Sequence, residues 1–126
     1  MWAADEMRIF KTRSFARFAR KESIEDADLY EAVERASKGL IDADLGGGVI
    51  KQRIARAGQG RSGGYRSIIL LRIQHRAVFV HGFAKNDRAN IRDDEERAFR
   101  ILAPHILGAT DEVLKAMVQA GDLVEI

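Results

Sequence analysis

The spacing of apolar residues changes at Val49, and this change constrains the fold more than any other feature of the chain. Before Val49, apolar residues recur every three to four positions, which is typical of helices with one buried face. In residues 49–56 they recur at every second position, so that Lys51 and Arg53 share one face of a predicted strand and isoleucines occupy the other. Helices followed by strands predict an α/β domain of the α+β type.

Four helices are predicted from this spacing together with residues that begin or end a helix. The first carries Phe15 and Phe18, and the third is expected to turn Phe99 and Leu102 inward. The second helix is predicted to begin at a capping pair, Ser23 with Asp26, and to end at Gly39. The third is predicted over residues 93–103, with Pro104 as its stop, and the fourth from Thr110 to Gly121.

Strands are predicted from alternation and from β-branched and aromatic residues. Three internal strands are predicted over residues 49–56, 65–73 and 76–84, with a turn near Gln74 and His75 between the last two. The runs 7–10 and 123–126 are predicted as edge strands, and residues 42–48 as a loop. The expected sheet has three to five strands and is mainly antiparallel.

Length and composition are those of one domain. The chain has 126 residues, 46% of them apolar, and we expect a single domain over residues 1–126 with residues 1–6 as a loose tail. It contains no cysteine and no secretory or membrane-spanning pattern, so a cytoplasmic location is expected. The three histidines have no ligand spacing, and neither a metal nor another cofactor is expected.

Charge is distributed unevenly along the chain. The net charge is +2, yet residues 46–92 hold ten basic side chains and one acidic side chain, a net charge of +9. Residues 1–45 hold eight basic and ten acidic side chains, and residues 93–126 hold three and eight, so both flanks are acidic. Eight of the ten central cations are arginines, whose planar guanidinium suits phosphate, and the segment therefore predicts a nucleic-acid surface.

Lys51, Arg53 and Arg66 are the sharpest candidate site within this segment. The first two share a strand face and the third opens the next strand, so pairing would bring them within about 5 to 10 Å of each other. Cations placed in this way can stabilise the extra negative charge of a phosphate under attack. The alternative is a solvated basic face, because charges at alternate strand positions are ordinary.

Three further residues each have two interpretations. His81, within an apolar predicted strand, is either a general acid or base or a hydrogen-bonded core histidine. Phe15 and Phe18 are either core residues or part of a docking surface for a partner protein.

The glycines at positions 58, 60 and 63 have the spacing of a dinucleotide-binding loop. That chemistry needs a helix after the glycines, whereas a strand is predicted here. A hairpin loop is the better interpretation, and Arg61 would reach a backbone phosphate from it.

Three longer runs of the sequence resemble the HigB-like branch of the RelE/ParE toxin superfamily. They are residues 46–56 (GGGVIKQRIAR), 58–66 (GQGRSGGYR) and 80–91 (VHGFAKNDRANI). The shorter segments 10–12 (FKT) and 39–45 (GLIDADL) are similar to the same branch, and the resemblance extends over about residues 8–105.

The resemblance implies a compact domain with two N-terminal helices packed on a twisted, mainly antiparallel sheet and with C-terminal helices. It implies a type II toxin that is inhibited by a small helix-turn-helix antitoxin and that cuts translated mRNA in the ribosomal A site. Cleavage would occur without a metal, by attack of a ribose 2′-hydroxyl on the adjacent phosphate.

The resemblance also suggests roles for individual residues. By motif position, Lys51, Arg53 and Arg66 are the expected catalytic residues, and Arg88 is an expected RNA-binding residue. The residues themselves, and not the resemblance, give the remaining candidates: His81 for possible proton transfer, Phe15 and Phe18 for antitoxin contact, and Arg56, Arg61 and Lys85 for RNA binding.

Two other functions remain open at this point. The ParE side of the superfamily suggests a toxin that binds DNA gyrase without cutting nucleic acid, but such a protein needs no phosphate-binding surface. A plain nucleic-acid-binding regulatory module would have the same basic sheet, and the sequence does not separate this module from a nuclease.

Overall fold

The computed structural model describes residues 7–56, 60–84 and 91–126, with side chains for all of these except residues 56 and 60–63. Residues 1–6, the predicted loose tail, lie outside this part of the chain. In chain order the described elements are β1 (Arg8–Thr12), α1 (Arg13–Lys21), α2 (Asp26–Ser37), β2 (Ala43–Gly46), β3 (Val49–Arg56), β4 (Gly60–Arg72), β5 (Arg76–Ala84), α3 (Asp93–Leu107), α4 (Asp111–Gln119) and β6 (Leu123–Glu125).

The described strands form one sheet in the order β2-β3-β4-β5-β1-β6. Every neighbouring pair is antiparallel except β1 and β5, so the predicted mainly antiparallel sheet is confirmed. The predicted strand number of three to five was too low, because residues 43–46, expected as a loop, pair with β3 as a sixth strand.

Strand β1 lies inside the sheet, which corrects its prediction as an edge strand. Its neighbours are β5 on one side and β6 on the other, because the C-terminal strand returns antiparallel beside it. Strand β6 forms the edge, as predicted. Strand β4 begins at Gly60 and not at Tyr65, since the glycine-rich residues continue the ladder as far as the pairing of Gly60 with Arg56.

Both faces of the sheet are covered by helices. Helices α1 and α2 pack on one face, where Phe15 and Leu29 meet Ile69 and Phe79 in a buried cluster. This confirms the two N-terminal helices packed on the sheet. Helices α3 and α4 pack on the other face around a second cluster, whose members include Phe10, Val49, Leu70, Val78, Ala103, Ile106 and Leu114.

Helix α2 ends where predicted but begins differently. Gly39, at φ +83°, follows the helix, and the amides of Gly39 and Leu40 bond back to the carbonyls of Ala36 and Arg35. These two bonds complete a glycine-terminated helix end. At the start, Glu25 and Asp28 form the capping pair in place of Ser23 and Asp26, because the Ser23 amide bonds to Arg20 at the end of α1.

Helix α3 continues through Pro104 to Leu107, so the predicted stop at Pro104 was wrong. A proline inside a helix removes one backbone hydrogen bond. Here the extra turn buries Ile106 and Leu107 against the sheet, and this burial offsets the loss. Leu102 is exposed and does not face inward as expected, whereas Phe99 packs at the edge of the buried cluster.

Helix α4 has the predicted ends. The Thr110 side chain accepts a hydrogen bond from the Val113 amide, and Gly121, at φ +81°, follows the helix.

Candidate active site

The pairing of β3 with β4 brings Lys51, Arg53 and Arg66 together, and we call these three residues the cation cluster. Arg53 lies directly opposite Arg66, and Lys51 lies two residues away from Arg53 on the same strand. Directly opposed and alternate residues share a face, so all three belong to the face that carries α3 and α4.

Arg66 is the buried member of the cluster. It is 8% exposed, and its Nη1 atom has no hydrogen-bond partner among the described residues. Burial lowers the pKa of the Arg66 guanidinium, the nearby Arg53 lowers it further, and Asp42 partly restores it. A buried guanidinium nitrogen without a hydrogen-bond partner is costly and is favourably placed to receive an anion.

Arg53 is held through its backbone by two side chains. Its amide donates a hydrogen bond to Asp42 Oδ2 at 2.6 Å, and its carbonyl accepts one from Nη2 of Arg35 on α2. Asp42 Oδ1 also lies 3.8 Å from Nε of the Arg53 side chain. Asp42 and Arg35 therefore fix the position of Arg53 while leaving its side chain 45% exposed.

The residue between Lys51 and Arg53 supports the cluster from the opposite face. Gln52 is fully buried, its Nε2 donates to the carbonyls of Ala32 and Leu40, and its Oε1 accepts from the Asp42 amide. The sequence analysis missed Gln52 because its neighbours follow the expected alternation. Its one signal was an uncharged polar residue at a position predicted to face inward.

His81 lies on the same face as the cation cluster. It is half-buried, and its ring centroid is 5.8 Å from that of Phe83 and 5.9 Å from that of Phe99 on α3. In the β4–β5 ladder His81 is opposite Ile68, which is itself opposite Lys51 on β3. The structure thus places His81 at the site, next to the aromatic rings of Phe83 and Phe99.

The other predicted site residues are distributed differently. Arg56 and Arg61 lie in β3 and β4, but their side chains are not among those described. Lys85 and Arg88 lie outside the described residues. Their predicted contacts with RNA stay predictions.

Phe15 and Phe18 pack between α1 and β5 and meet each other at 5.8 Å between ring centroids. Phe15 is 1% exposed and its ring lies 5.1 Å from that of Phe79, so it packs as a core residue, and its predicted contact with the antitoxin stays a prediction. Phe18 is half-buried and keeps an accessible part.

Residues 7–56, 60–84 and 91–126 hold no group of histidine, aspartate or glutamate side chains that could bind a metal ion. No helix in the same ranges is long and apolar enough to span a membrane.

Fold and site together define a class of protein. It is a small α+β domain with two N-terminal helices packed on one face of a sheet and, on the opposite face, a buried arginine beside two more accessible cations. Comparison with protein families gives the particular family. The family described as the RelE toxin of the RelE/RelB toxin-antitoxin system matches residues 7–126. The chain therefore belongs to the RelE toxin family, and this membership implies an antitoxin partner. No curated protein matches the chain.

Proposed function

We propose that this toxin is a ribosome-dependent endoribonuclease of the HigB-like branch that cuts translated mRNA. The observation that carries the proposal is the pairing of Arg53 with Arg66, because Arg66 is buried with Nη1 unpartnered while Arg53 is exposed beside it. A structural ion cluster would pair its buried member, whereas an anion-binding site keeps it available.

In the proposed reaction, the ribose 2′-hydroxyl oxygen attacks the adjacent phosphorus and the bond to the 5′-oxygen of the next nucleotide breaks. The products are a 2′,3′-cyclic phosphate and a 5′-hydroxyl. The cation cluster binds the non-bridging phosphate oxygens, whose negative charge increases in the transition state. His81 is a candidate for proton transfer by its position on the face of the cation cluster.

Under this proposal the partner is a small helix-turn-helix antitoxin, and the site of action is the ribosomal A site in the cytoplasm. The eight arginines in residues 46–92 suit a surface that must approach the phosphates of ribosomal and messenger RNA. A gyrase-binding toxin has no need of a buried arginine with an unpartnered Nη1, so this alternative has less support.

The test is cleavage of mRNA during translation in a purified system. Replacing Lys51, Arg53 and Arg66 together by Ala should abolish cleavage and relieve growth arrest, while the single change Arg66→Leu should lower the rate by about 100-fold or more. Arg72→Ala is the matched control, because Arg72 belongs to the same basic segment but lies at the far end of β4.

Each alternative has its own outcome in this experiment. If the triple variant stays folded and fully toxic, the assigned site is wrong. Growth arrest with intact mRNA and with inhibited gyrase supercoiling would establish the gyrase-binding function instead. RNA binding without any cut would indicate the regulatory module.

A further inference from the structure

One irregularity in the sheet places His81 on the face of the cation cluster. The β4–β5 register runs regularly from Arg72 opposite Arg76 to Ile69 opposite Phe79, and then shifts so that Ile68 lies opposite His81. Val80 is the extra residue of this bulge. In a regular strand without a bulge, His81 would share the α1 face with Phe79, because residues two apart in a strand lie on the same side.

A bulge disrupts the ladder locally and is often found where a side chain is re-aimed toward a functional site. The shift also sets what lies on the other face. Gly82 faces α1, where a Cβ atom would lie 2.5 Å from Cε2 of Phe18, so any side chain there would force the Phe18 ring to move. The sequence Val80-His81-Gly82 is thus adapted to the bulge on both faces of the sheet.

After the shift, the site contains two parallel rows across three strands. One row is Lys51, Ile68 and His81, and the neighbouring row is Arg53, Arg66 and Phe83. With strands about 4.8 Å apart, the Cα atoms of Lys51 and His81 lie about 10 Å from each other. Each row therefore begins with a cation and ends with a ring.

A further aromatic ring, that of Phe99 on α3, lies next to His81. The His81 ring adjoins those of Phe83, which is buried, and Phe99, which is half-buried, with interplanar angles of 41° and 34°. The residue after Phe99 fixes α3 against the sheet: Nη1 of Arg100 donates to the Leu45 carbonyl and to Glu96. The partly accessible rings, His81 and Phe99, are therefore held in place beside the cation cluster, and we call them the ring pair.

We propose that the ring pair is a stacking surface for a nucleobase adjoining the phosphate bound by the cation cluster. The inference rests on the proposed function and deepens it by making His81 and Phe99 determinants of substrate binding. Cations that hold the backbone together with rings that stack on bases are the means by which proteins bind single-stranded nucleic acid. On this account His81 acts through its ring and not through its proton.

The test uses two uncleavable single-stranded oligoribonucleotides, methylated at every 2′-oxygen, that differ only in one abasic position at the centre. Both have the same phosphates, so a difference in affinity reports base stacking. The whole protein should bind the intact oligonucleotide about five- to one-hundred-fold more tightly than the abasic one. The variant His81→Ala with Phe99→Leu should lose this difference and keep the affinity for the abasic oligonucleotide.

The conservative variant His81→Phe separates stacking from proton transfer. It should keep the discrimination between the two oligonucleotides. It should also keep the rate of mRNA cleavage within about tenfold of wild type, because loss of a general acid or base costs about 100-fold or more. Tyr30→Ala is the control, because Tyr30 is an exposed aromatic residue on α2, which covers the other face of the sheet. Thermal unfolding of each variant checks that it is folded.

Three results would overturn the inference: equal affinity of the wild-type protein for both oligonucleotides, absence of binding to either, or loss of the discrimination in His81→Phe. Because the readout is binding of uncleavable RNA, it is independent of the nuclease proposal. Discrimination without any mRNA cleavage would retain the stacking surface and reject the nuclease.

Discussion

Two polar side chains, Gln52 and Arg66, are buried in neighbouring strands, and their hydrogen bonds distinguish structure from function. The Gln52 amide makes three hydrogen bonds that join α2, the following loop and β3. The Arg66 guanidinium has Nη1 without a partner in the described part of the chain. A satisfied buried group stabilises the fold, whereas an unsatisfied one costs stability and is retained for another reason.

The first prediction is that Arg66→Met raises the free energy of unfolding and lowers activity. Methionine fills a similar volume and removes the buried Nη1 that has no hydrogen-bond partner, so stability should increase by about 1 kcal/mol. Urea unfolding measures the first effect and mRNA cleavage the second. Opposite changes in stability and activity are typical of residues kept for function.

Gln52→Leu is the matched comparison for this prediction. It leaves the Asp42 amide and the carbonyls of Ala32 and Leu40 without their partner, so unfolding should become easier by about 2 to 4 kcal/mol. If Arg66→Met destabilises the protein to the same extent as Gln52→Leu, Arg66 is a structural residue and loses its place in the site.

At the scale of elements, the contact of α1 with β5 depends on the absence of a side chain at Gly82. An added Cβ would lie 2.5 and 2.7 Å from two carbon atoms of Phe18 and 3.0 Å from Cε2 of Phe15. We predict that Gly82→Ala lowers the free energy of unfolding by about 1 to 3 kcal/mol. In a Phe18→Leu background the same change should cost clearly less, and a double-mutant cycle by urea unfolding measures the difference.

An equal cost of Gly82→Ala with and without the Phe18 ring would contradict this account of the packing. The strain would then arise in the strand itself.

A second prediction at this scale concerns pH and the edge strand β6. Glu125 accepts hydrogen bonds from Arg8 on β1 at 2.8 and 2.9 Å. These bonds lower the pKa of the Glu125 carboxyl, burial opposes the shift, and the charge of Arg8 adds to it. A lowered pKa in the folded state stabilises above the ordinary carboxyl range, and this stabilisation is lost as pH falls through the lowered value.

Since the Glu125 side chain is 40% exposed, the effect should be small and local. Glu125→Gln should speed hydrogen exchange of the Ile126 amide, which bonds to the Ile9 carbonyl, by about two- to fivefold at neutral pH. Wild type and variant should converge at acid pH, once the pH has fallen through the lowered pKa of Glu125 and the carboxyl is protonated. An equal difference at both pH values would mean that the ion pair is not the cause.

At the scale of the molecule, the +9 segment supplies the centre of the sheet. Residues 46–92 include all of β3, β4 and β5, whereas the acidic flanks supply the helices on both faces and the strands β1 and β6. The pairing of β3 with β4 places three of these cations, Lys51, Arg53 and Arg66, beside one another. An acidic surface on a partner would be drawn to the same place as RNA.

We predict that the antitoxin neutralises the protein by covering or distorting this basic surface. Complementary charge speeds association and is screened by salt, so the association rate of the purified pair should fall steeply between about 50 and 500 mM salt. Stopped-flow mixing measures the rate. With Phe15 buried, the partly exposed Phe18 remains as the proposed apolar contact on the helical side. A rate independent of salt would exclude the basic surface from antitoxin capture.

Much of the local structure followed from the sequence because its signals are local. The bounds of β3 and β5 came from alternation, and the ends of α2 and α4 came from Gly39 and Gly121, where the backbone takes positive φ. Alternation also placed Lys51 and Arg53 on one face. Where a local rule competed with packing, as at Pro104 in α3, the rule failed because burial of the following turn outweighed it.

The amino-acid sequence by itself thus determined the four helices, every strand except β2, the basic side of β3 and the position of the charge along the chain. Only the tertiary structure decided the pairing of Arg53 with Arg66, the burial of Arg66, the interior place of β1 and the turn of His81 toward the cation cluster at Val80. The physical reason is that register and burial depend on side chains far apart in the chain. Their packing is settled only when both faces of the whole sheet are covered.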